Sequence, residues 1–161
     1  MDPIAEAERQ WRAHGWSDAA PGMVAVTGLT RVQQLLHRRI DALLKPVELT
    51  FARYEVLMLL AFSQRGTLPM SVIGSRLQVH PASVTSAVER LERQGFASRE
   101  RTESDRRMVL ARITPAGRRT AQRATEVLNR EVFADLGVSD RDLASLDRLL
   151  RAVRRHEGDL D

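Results

Sequence analysis

Apolar side chains recur along this chain at two periods. Leu29, Val32, Leu36, Ile40, Leu43 and Leu44 return every three or four positions, which predicts a long amphipathic helix over residues 23–44, ended by Pro46. Phe51, Tyr54, Leu57, Met58 and Ala61 repeat that spacing over 50–64, with Thr50 placed to cap the first turn. Ile4, Ala7 and Trp11 give residues 3–14 a shorter helix, and His14 to Gly22, with two glycines and a proline, reads as a connection. Gly66 to Pro69 interrupts the pattern. Met70 to Leu77 then predicts a short helix and Gln78-Val79-His80 a tight turn. Pro81 suits the first turn of the next helix, which runs to Gln94 and stops at Gly95. Its inner stripe is Val84, Val88 and Leu91, opposite Ser83, Ser86, Ala87 and Arg90. The period then shortens to two: Ala97–Arg101 and Arg107–Ile113 predict strands joined by the polar turn 102–106. Thr114-Pro115 opens a long helix to about Asp135, ended near Gly137, and Ser139 with Asp142 starts a last one striped by Leu143, Leu146, Leu149, Leu150 and Val153.

The 161 residues are 43% hydrophobic and 29% charged, enough for one domain with appended helices and unlike a disordered chain. The longest apolar run, Val56–Phe62, is far too short to cross a bilayer. The start, MDPIAEAERQW, lacks a signal peptide's basic and apolar regions. A cytoplasmic protein without membrane contact is expected. The absence of cysteine excludes disulfides, thiolate metal sites and thiol redox sensing. Charge is unevenly spread: residues 76–123 hold eleven arginines against five acids, and residues 124–161 six against nine. A polyanion is drawn to the middle third.

Helix, tight turn, helix and two-stranded hairpin is the order of a winged helix-turn-helix in a mainly α chain with a small β-wing. An α-helix fits the major groove of DNA, where short exposed side chains reach base edges. Ser83, Thr85 and Ser86 stand near the N-terminal end of the second helix, and the wing tip carries Asp105, Arg106 and Arg107. Arginine suits a narrow minor groove, and Asp105 is positioned to orient one guanidinium and leave the other for DNA. Residue order assigns neither arginine to either job. No phosphate loop and no nucleophile–base pair argue for an enzyme. His14, His37, His80 and His156 show no metal-ligand spacing, and neither metal nor cofactor is expected. An architectural DNA-binding or protein-interaction module without an effector is the competing class.

The block from Ser71 to Arg119 resembles the MarR family of bacterial transcriptional regulators. SVTSAVERLERQGF matches the recognition helix, DRR the wing tip and ITPAG the opening of the following helix. The resemblance implies a layout of N-terminal extension (1–22), dimerisation helix (23–49), winged helix-turn-helix (50–114) and C-terminal dimerisation helices (115–161). It also implies a homodimer on a near-palindromic double-stranded operator, acting as a repressor relieved by a small aromatic or anionic effector. The candidate DNA-binding residues are Ser71, Pro81, Ala82, Ser83, Thr85, Ser86, Arg90, Arg101, Asp105, Arg106 and Arg107. The candidate effector residues are Trp11, His37, Asp41, Tyr54, Glu55 and Met58, with Arg38 or Arg53 as a cation for an anionic ligand. The spacing of Trp11, Pro21 and Met23 resembles the urate-responsive branch, whose added N-terminal helix contributes a tryptophan to the pocket. His37, Glu55 and Ala87 depart from that branch's glutamate, aspartate and arginine. Loss of the arginine removes the acid's charge partner, so Trp11 also reads as a residue clamping the added helix.

Overall fold

The computed structural model describes residues 1–101 and 108–160. The element order is α1 (Pro3–Ala13), α2 (Ala20–Leu44), α3 (Phe51–Phe62), β1 (Thr67–Pro69), α4 (Met70–Leu77), α5 (Pro81–Arg93), β2 (Ala97–Arg101), β3 (Val109–Ile113), α6 (Pro115–Leu128) and α7 (Asp140–His156). A 3₁₀ turn, Lys45–Val47, follows α2, and a π-helical turn, Asn129–Phe133, follows α6. The chain divides into two compact units, Met1–Thr125 and Glu126–Asp161. Among the described residues no helix is long and apolar enough to cross a membrane.

In the first unit, the buried side chains Leu44, Val56, Leu57, Leu60, Ile73, Val84, Val88 and Leu91 come from α2, α3, α4 and α5. The predicted stripes of α3 and α5 therefore face inward, whereas on α2 only the C-terminal end, Ile40 and Leu44, is buried and Leu29 and Val32 stay exposed. Thr50 caps α3 as its spacing implies, accepting the Arg53 N–H, and Asp41 accepts the Phe51 N–H at 3.0 Å. Tyr54 is buried, and its hydroxyl lies 3.0 Å from Thr125 Oγ1. Thr125 in turn donates to the Ala121 carbonyl at 2.9 Å, which leaves the Tyr54 O–H as the donor to Thr125. The tyrosine thus has the partner that burial demands.

Two predicted boundaries shift. α2 begins at Ala20, inside the stretch read as a connection, because Pro21 sits in its first turn, where a missing N–H costs nothing. The single long helix expected to Asp135 keeps α-geometry only to Leu128, before the π-helical turn. One element escapes the periodicity: β1, read as a break, pairs antiparallel with β3, Thr67 facing Arg112 and Pro69 facing Leu110. Three residues are too few to show an alternation. The sheet order is β1-β3-β2. β3 starts at Val109, and the predicted turn lies outside the described residues.

The start of α6 is fastened to the segment between α5 and β2. Thr114 Oγ1 accepts the Gly117 N–H at 3.0 Å and donates to the Gly95 carbonyl at 2.7 Å, while the Thr114 N–H donates to Phe96 at 3.0 Å. Gly117 lies so close to Phe96 that a Cβ there would overlap the Phe96 carbonyl oxygen and stand 3.0 Å from Ile113 Cγ1. In the second unit, Ser139 caps α7 by accepting the Asp142 N–H and donates to its carboxylate at 2.6 Å. α7 has no buried residue, and Leu143, Leu149, Leu150 and Val153 form an exposed apolar stripe.

Replacing glycine by alanine inside a helix ordinarily stabilises by about 1 kcal/mol. Here the backbone clash reverses the sign: Gly117→Ala is expected to cost roughly 1–3 kcal/mol. Urea denaturation of the two proteins checks this, and a stabilised variant contradicts the packing described.

Candidate nucleic-acid interface

The angle between α4 and α5 is set by a tight turn. Gln78 adopts the left-handed conformation (φ 54°), its N–H caps α4 on the Gly74 and Ser75 carbonyls, and the Val79 N–H donates to Gly74 at 3.1 Å. Gly74 is buried. A Cβ there would stand 3.3 Å from Val84 Cγ2 and 3.4 Å from the Val79 carbonyl, so the absence of a side chain lets α5 sit against α4. His80 caps α5: its Nδ1 accepts the Ala82 N–H at 3.2 Å, which requires the ring to be unprotonated at that nitrogen. Pro81 occupies the first turn. The sequence placed His80 in the turn but gave no sign of its capping role, because histidine is not among the usual N-cap residues.

With Val84, Val88 and Leu91 buried, the other faces of α5 are presented outward. Pro81, Ala82, Ser83, Thr85, Ser86 and Arg90 are all exposed, as is Ser71 on α4. The structure therefore gathers the candidate residues of α5 on one accessible helix. Thr85 donates its hydroxyl to the Pro81 carbonyl at 3.1 Å and keeps its lone pairs for a donor. Ser71, Pro81 and Thr85 also border a concavity of about 700 Å³ that continues to Arg99 and Val109. Arg101 is exposed at the end of β2. Asp105, Arg106 and Arg107 lie outside the described residues.

Ion pairs tie α5 to the wing. Arg99 on β2 reaches Glu89 at 3.0 Å and Glu92 at 2.8 Å, and its backbone N–H donates to Glu92 at 3.2 Å. These contacts raise the Arg99 pKa, hydrogen bonding by Glu92 contributing most. Arg112 pairs with Glu100 across β2 and β3 at 3.0 Å. The Arg99 clamp does not emerge from the pattern of residues along the chain. The outward i,i+3 spacing of Glu89 and Glu92 was a usable sign, but the partner depends on how the strand folds back.

The candidate effector residues are placed differently from one another. Trp11 packs edge-on against Trp16 at 5.2 Å, and α1 rests on α2. His37 is exposed, its ring edge-on to Phe51 at 6.3 Å, and Phe51 stacks on Tyr54 at 6.0 Å. Asp41 is occupied by the α3 backbone and Tyr54 by Thr125, as above. Met58 is half-buried, its sulfur 3.3 Å from Thr125 Oγ1. Glu55 is half-buried too. Burial raises its carboxyl pKa and the nearby His37 works in the opposite direction.

Helix, turn, helix and wing now stand together, and known proteins carry the same arrangement. The MarR family model matches residues 49–109. Sco5413, a MarR family transcriptional regulator from Streptomyces coelicolor, is 42% identical, with a TM-score of 0.79 over 88% of this chain and 98% of that one. This chain belongs to the MarR family. It is a DNA-binding transcriptional regulator of that family. The similarity extends along nearly the whole chain to the transcriptional regulator PecS of Dickeya dadantii, 27% identical over 95% of this chain and 93% of that protein. Sco3205, a MarR family regulator from S. coelicolor solved in complex with DNA, is 26% identical, with a TM-score of 0.73 over 85% of this chain and 88% of that one. These relatives are regulators rather than enzymes. Within the MarR match lie α3, the helix-turn-helix and β2.

The Glu55 environment gives a pH dependence with a definite sign. Its folded pKa lies above the ordinary value of 4.5, so the folded state holds the proton more tightly than the unfolded one. The stability this contributes is complete below pH 4.5 and is lost as pH rises through the higher folded value. Glu55→Gln should therefore raise the melting midpoint at pH 7 by roughly 1–3 °C, allowing for solvent screening. The gain should vanish on acidification below pH 4.5. Melting curves at both pH values decide it, and a gain that persists in acid contradicts the assigned cause.

Proposed function

We propose that this chain is a homodimeric, sequence-specific repressor in the cytoplasm that lays α5 in the major groove of a near-palindromic operator. The observation that carries the reading is the face of α5. Ser83, Thr85 and Ser86 are exposed at its N-terminal end while its apolar stripe is sealed below. Short hydroxyl side chains allow close approach to base edges. In this reading Ser71, Pro81, Ala82 and Arg90 accompany them, and Arg101, Asp105, Arg106 and Arg107 serve the adjacent minor groove and phosphates. The DNA complex of the related Sco3205 supports the same partner.

Dimerisation is supported by apolar surface that the single chain leaves exposed. Val26, Leu29, Val32 and Leu35 on α2 are 40–66% accessible, and α7 adds the stripe already described. Such faces are costly in water unless a partner covers them. In this layout the dimerisation region comprises residues 23–49 and 115–161, with 50–114 as the DNA-binding domain. Two copies place their recognition helices about 34–36 Å apart, one DNA turn. A small aromatic or anionic effector is assigned to the α2–α3 region, where His37, Glu55 and Met58 retain access. Asp41 and Tyr54 support it from below, and Trp11 anchors α1.

Selection of bound DNA from a random pool tests the whole reading. The expected product is a near-palindrome with half-sites about 10–10.5 base pairs apart. Ser86→Ala should alter base preference, whereas Arg106→Ala with Arg107→Ala should weaken all duplexes and flatten log K against log salt by about 1–2. Equal affinity for selected and random duplex removes the regulator reading and leaves an architectural protein.

Disrupting the apolar stripe separates dimerisation from folding. Leu149→Glu with Val153→Glu should leave helical content intact, yield monomers in sedimentation and weaken operator binding at least about 100-fold, because two half-sites are no longer linked. A dimer that survives the double change places the interface elsewhere.

A further inference from the structure

Two guanidinium groups from different helices share a cleft beside α5 with no carboxylate in it. Arg53, in the first turn of α3, and Arg90, late in α5, line one open concavity of about 560 Å³. Thr50, Ser83 and Ser86 supply hydroxyls around it, alanines complete the lining, and no acidic side chain takes part. Arg53 is held by neutral oxygens. Its Nε donates to Thr50 Oγ1 at 3.2 Å and a terminal nitrogen donates to Gln94 Oε1 at 2.9 Å. Gln94 is itself fixed by donating to the Glu48 carbonyl at 2.7 Å. The second terminal nitrogen of Arg53 has no partner among the described residues, and neither has the Arg90 side chain.

The electrostatics give the cleft a direction. Burial lowers the Arg53 pKa most, and Arg90 lowers it further, while Asp41 and Glu48 oppose both. Those two acids line a second concavity, which Thr50, Arg53 and Arg90 also border, and neither acid lines the cleft beside Ser83 and Ser86. An anion therefore gains by entering from the α5 side, where two like charges meet and no carboxylate competes. The helix terminus is not the attraction: the Phe51 and Arg53 amides at the start of α3 are already taken by Asp41 and Thr50. Small-molecule sites enclose their ligand among apolar walls, whereas this cleft is open and floored by alanine and serine. Contact with a DNA phosphate needs only charge, donors and an unobstructed approach. The same cleft contains Ser83 and Ser86 of the face assigned to DNA.

We propose that Arg53 and Arg90 together clamp a backbone phosphate of the DNA on which α5 docks. Arg53 thus supplies a DNA contact from outside the helix-turn-helix pair. The clamp rests on the docking of α5 argued above. It holds the recognition helix in register and carries no base preference.

The test uses the full-length protein, a duplex selected from a random pool with the wild type, and a scrambled duplex of equal length. Affinities are measured by fluorescence anisotropy between 50 and 200 mM salt. Arg53→Gln should weaken both duplexes roughly tenfold, as expected for one charge-assisted contact, and flatten log K against log salt by about 0.9. Arg53→Lys should retain most of the slope, with base preference unchanged in both variants. Arg53→Gln that weakens binding without changing the slope, or changes nothing, overturns the clamp. The melting midpoint of each variant identifies any loss due to misfolding, and Arg90→Gln then supplies the same slope measurement independently of the Thr50–Gln94 contacts. If millimolar benzoate stabilises the wild type but not Arg53→Gln, and the salt slope is unaffected, the cleft serves a free carboxylate and the DNA clamp is wrong. A wild type that binds both duplexes equally defeats the docking of α5 itself, whereas a selective wild type with an unchanged Arg53→Gln slope defeats only the clamp.

Discussion

Everything the α5 surface can do depends on the close contact at Gly74. α4 has only eight residues, too short a helix to be stable alone, so its relation to α5 must come from tertiary contact. That contact is tight because Gly74 has no side chain and Val84 fills the space beside it. The turn that follows demands a left-handed residue at Gln78, a conformation that costs roughly 1–3 kcal/mol for a non-glycine side chain. The two capping hydrogen bonds at the end of α4 and the buried stripe of α5 offset that cost. The two helices are thereby held at one angle, and a surface made of a few short hydroxyl groups needs such support to present a fixed geometry to a partner.

A second set of contacts carries that support into the wing. Arg99 joins β2 to two glutamates of α5, and Thr114 with Gly117 fastens α6 to the segment between α5 and β2. The two devices differ in kind. Ion pairs this exposed contribute little to stability and weaken with salt, so the Arg99 clamp serves to orient the strand. The Gly117 contact is steric and does not depend on ionic strength. The wing base therefore keeps its place at salt concentrations that loosen the ion pairs.

The elements most legible in the sequence were those with a long period and a chemical full stop. α2, α3, α5 and α7 have apolar stripes bounded by proline, glycine or hydroxyl caps; those of α3 and α5 turn inward, whereas those of α7 and of the N-terminal half of α2 lie exposed. β1 was illegible because three residues cannot display a period and its pairing partner lies more than forty positions away. The start of α2 was missed because Pro21 reads as a breaker until its position in the first turn is known. In the candidate site, the exposed side of α5 followed directly from its stripe. Arg99 meeting Glu89 and Glu92, or Arg53 sharing a cleft with Arg90, did not. Contacts between side chains of different elements depend on crossing angles, and spacing along one element carries no information about those.

The half-buried groups of α2 and α3 divide between architecture and chemistry on the same physical ground. Asp41 is consumed by the Phe51 amide and the Tyr54 hydroxyl by Thr125, so each already has the partner a ligand would otherwise supply. Removing one to bind an effector would leave a buried amide or hydroxyl unpaired, at a cost of about 1–3 kcal/mol. Glu55 is different. Its carboxyl is partly desolvated, and the nearby His37 favours its charged form. A group held in that state changes most when a charged or hydrogen-bonding molecule arrives, because the molecule restores solvation that the fold removed. Any effector that acts through α3 gains more by meeting Glu55 than by displacing the satisfied pairs around it. Since α3 also carries Arg53 in its first turn, a ligand that shifts this helix moves a cation next to α5 without touching α5 itself.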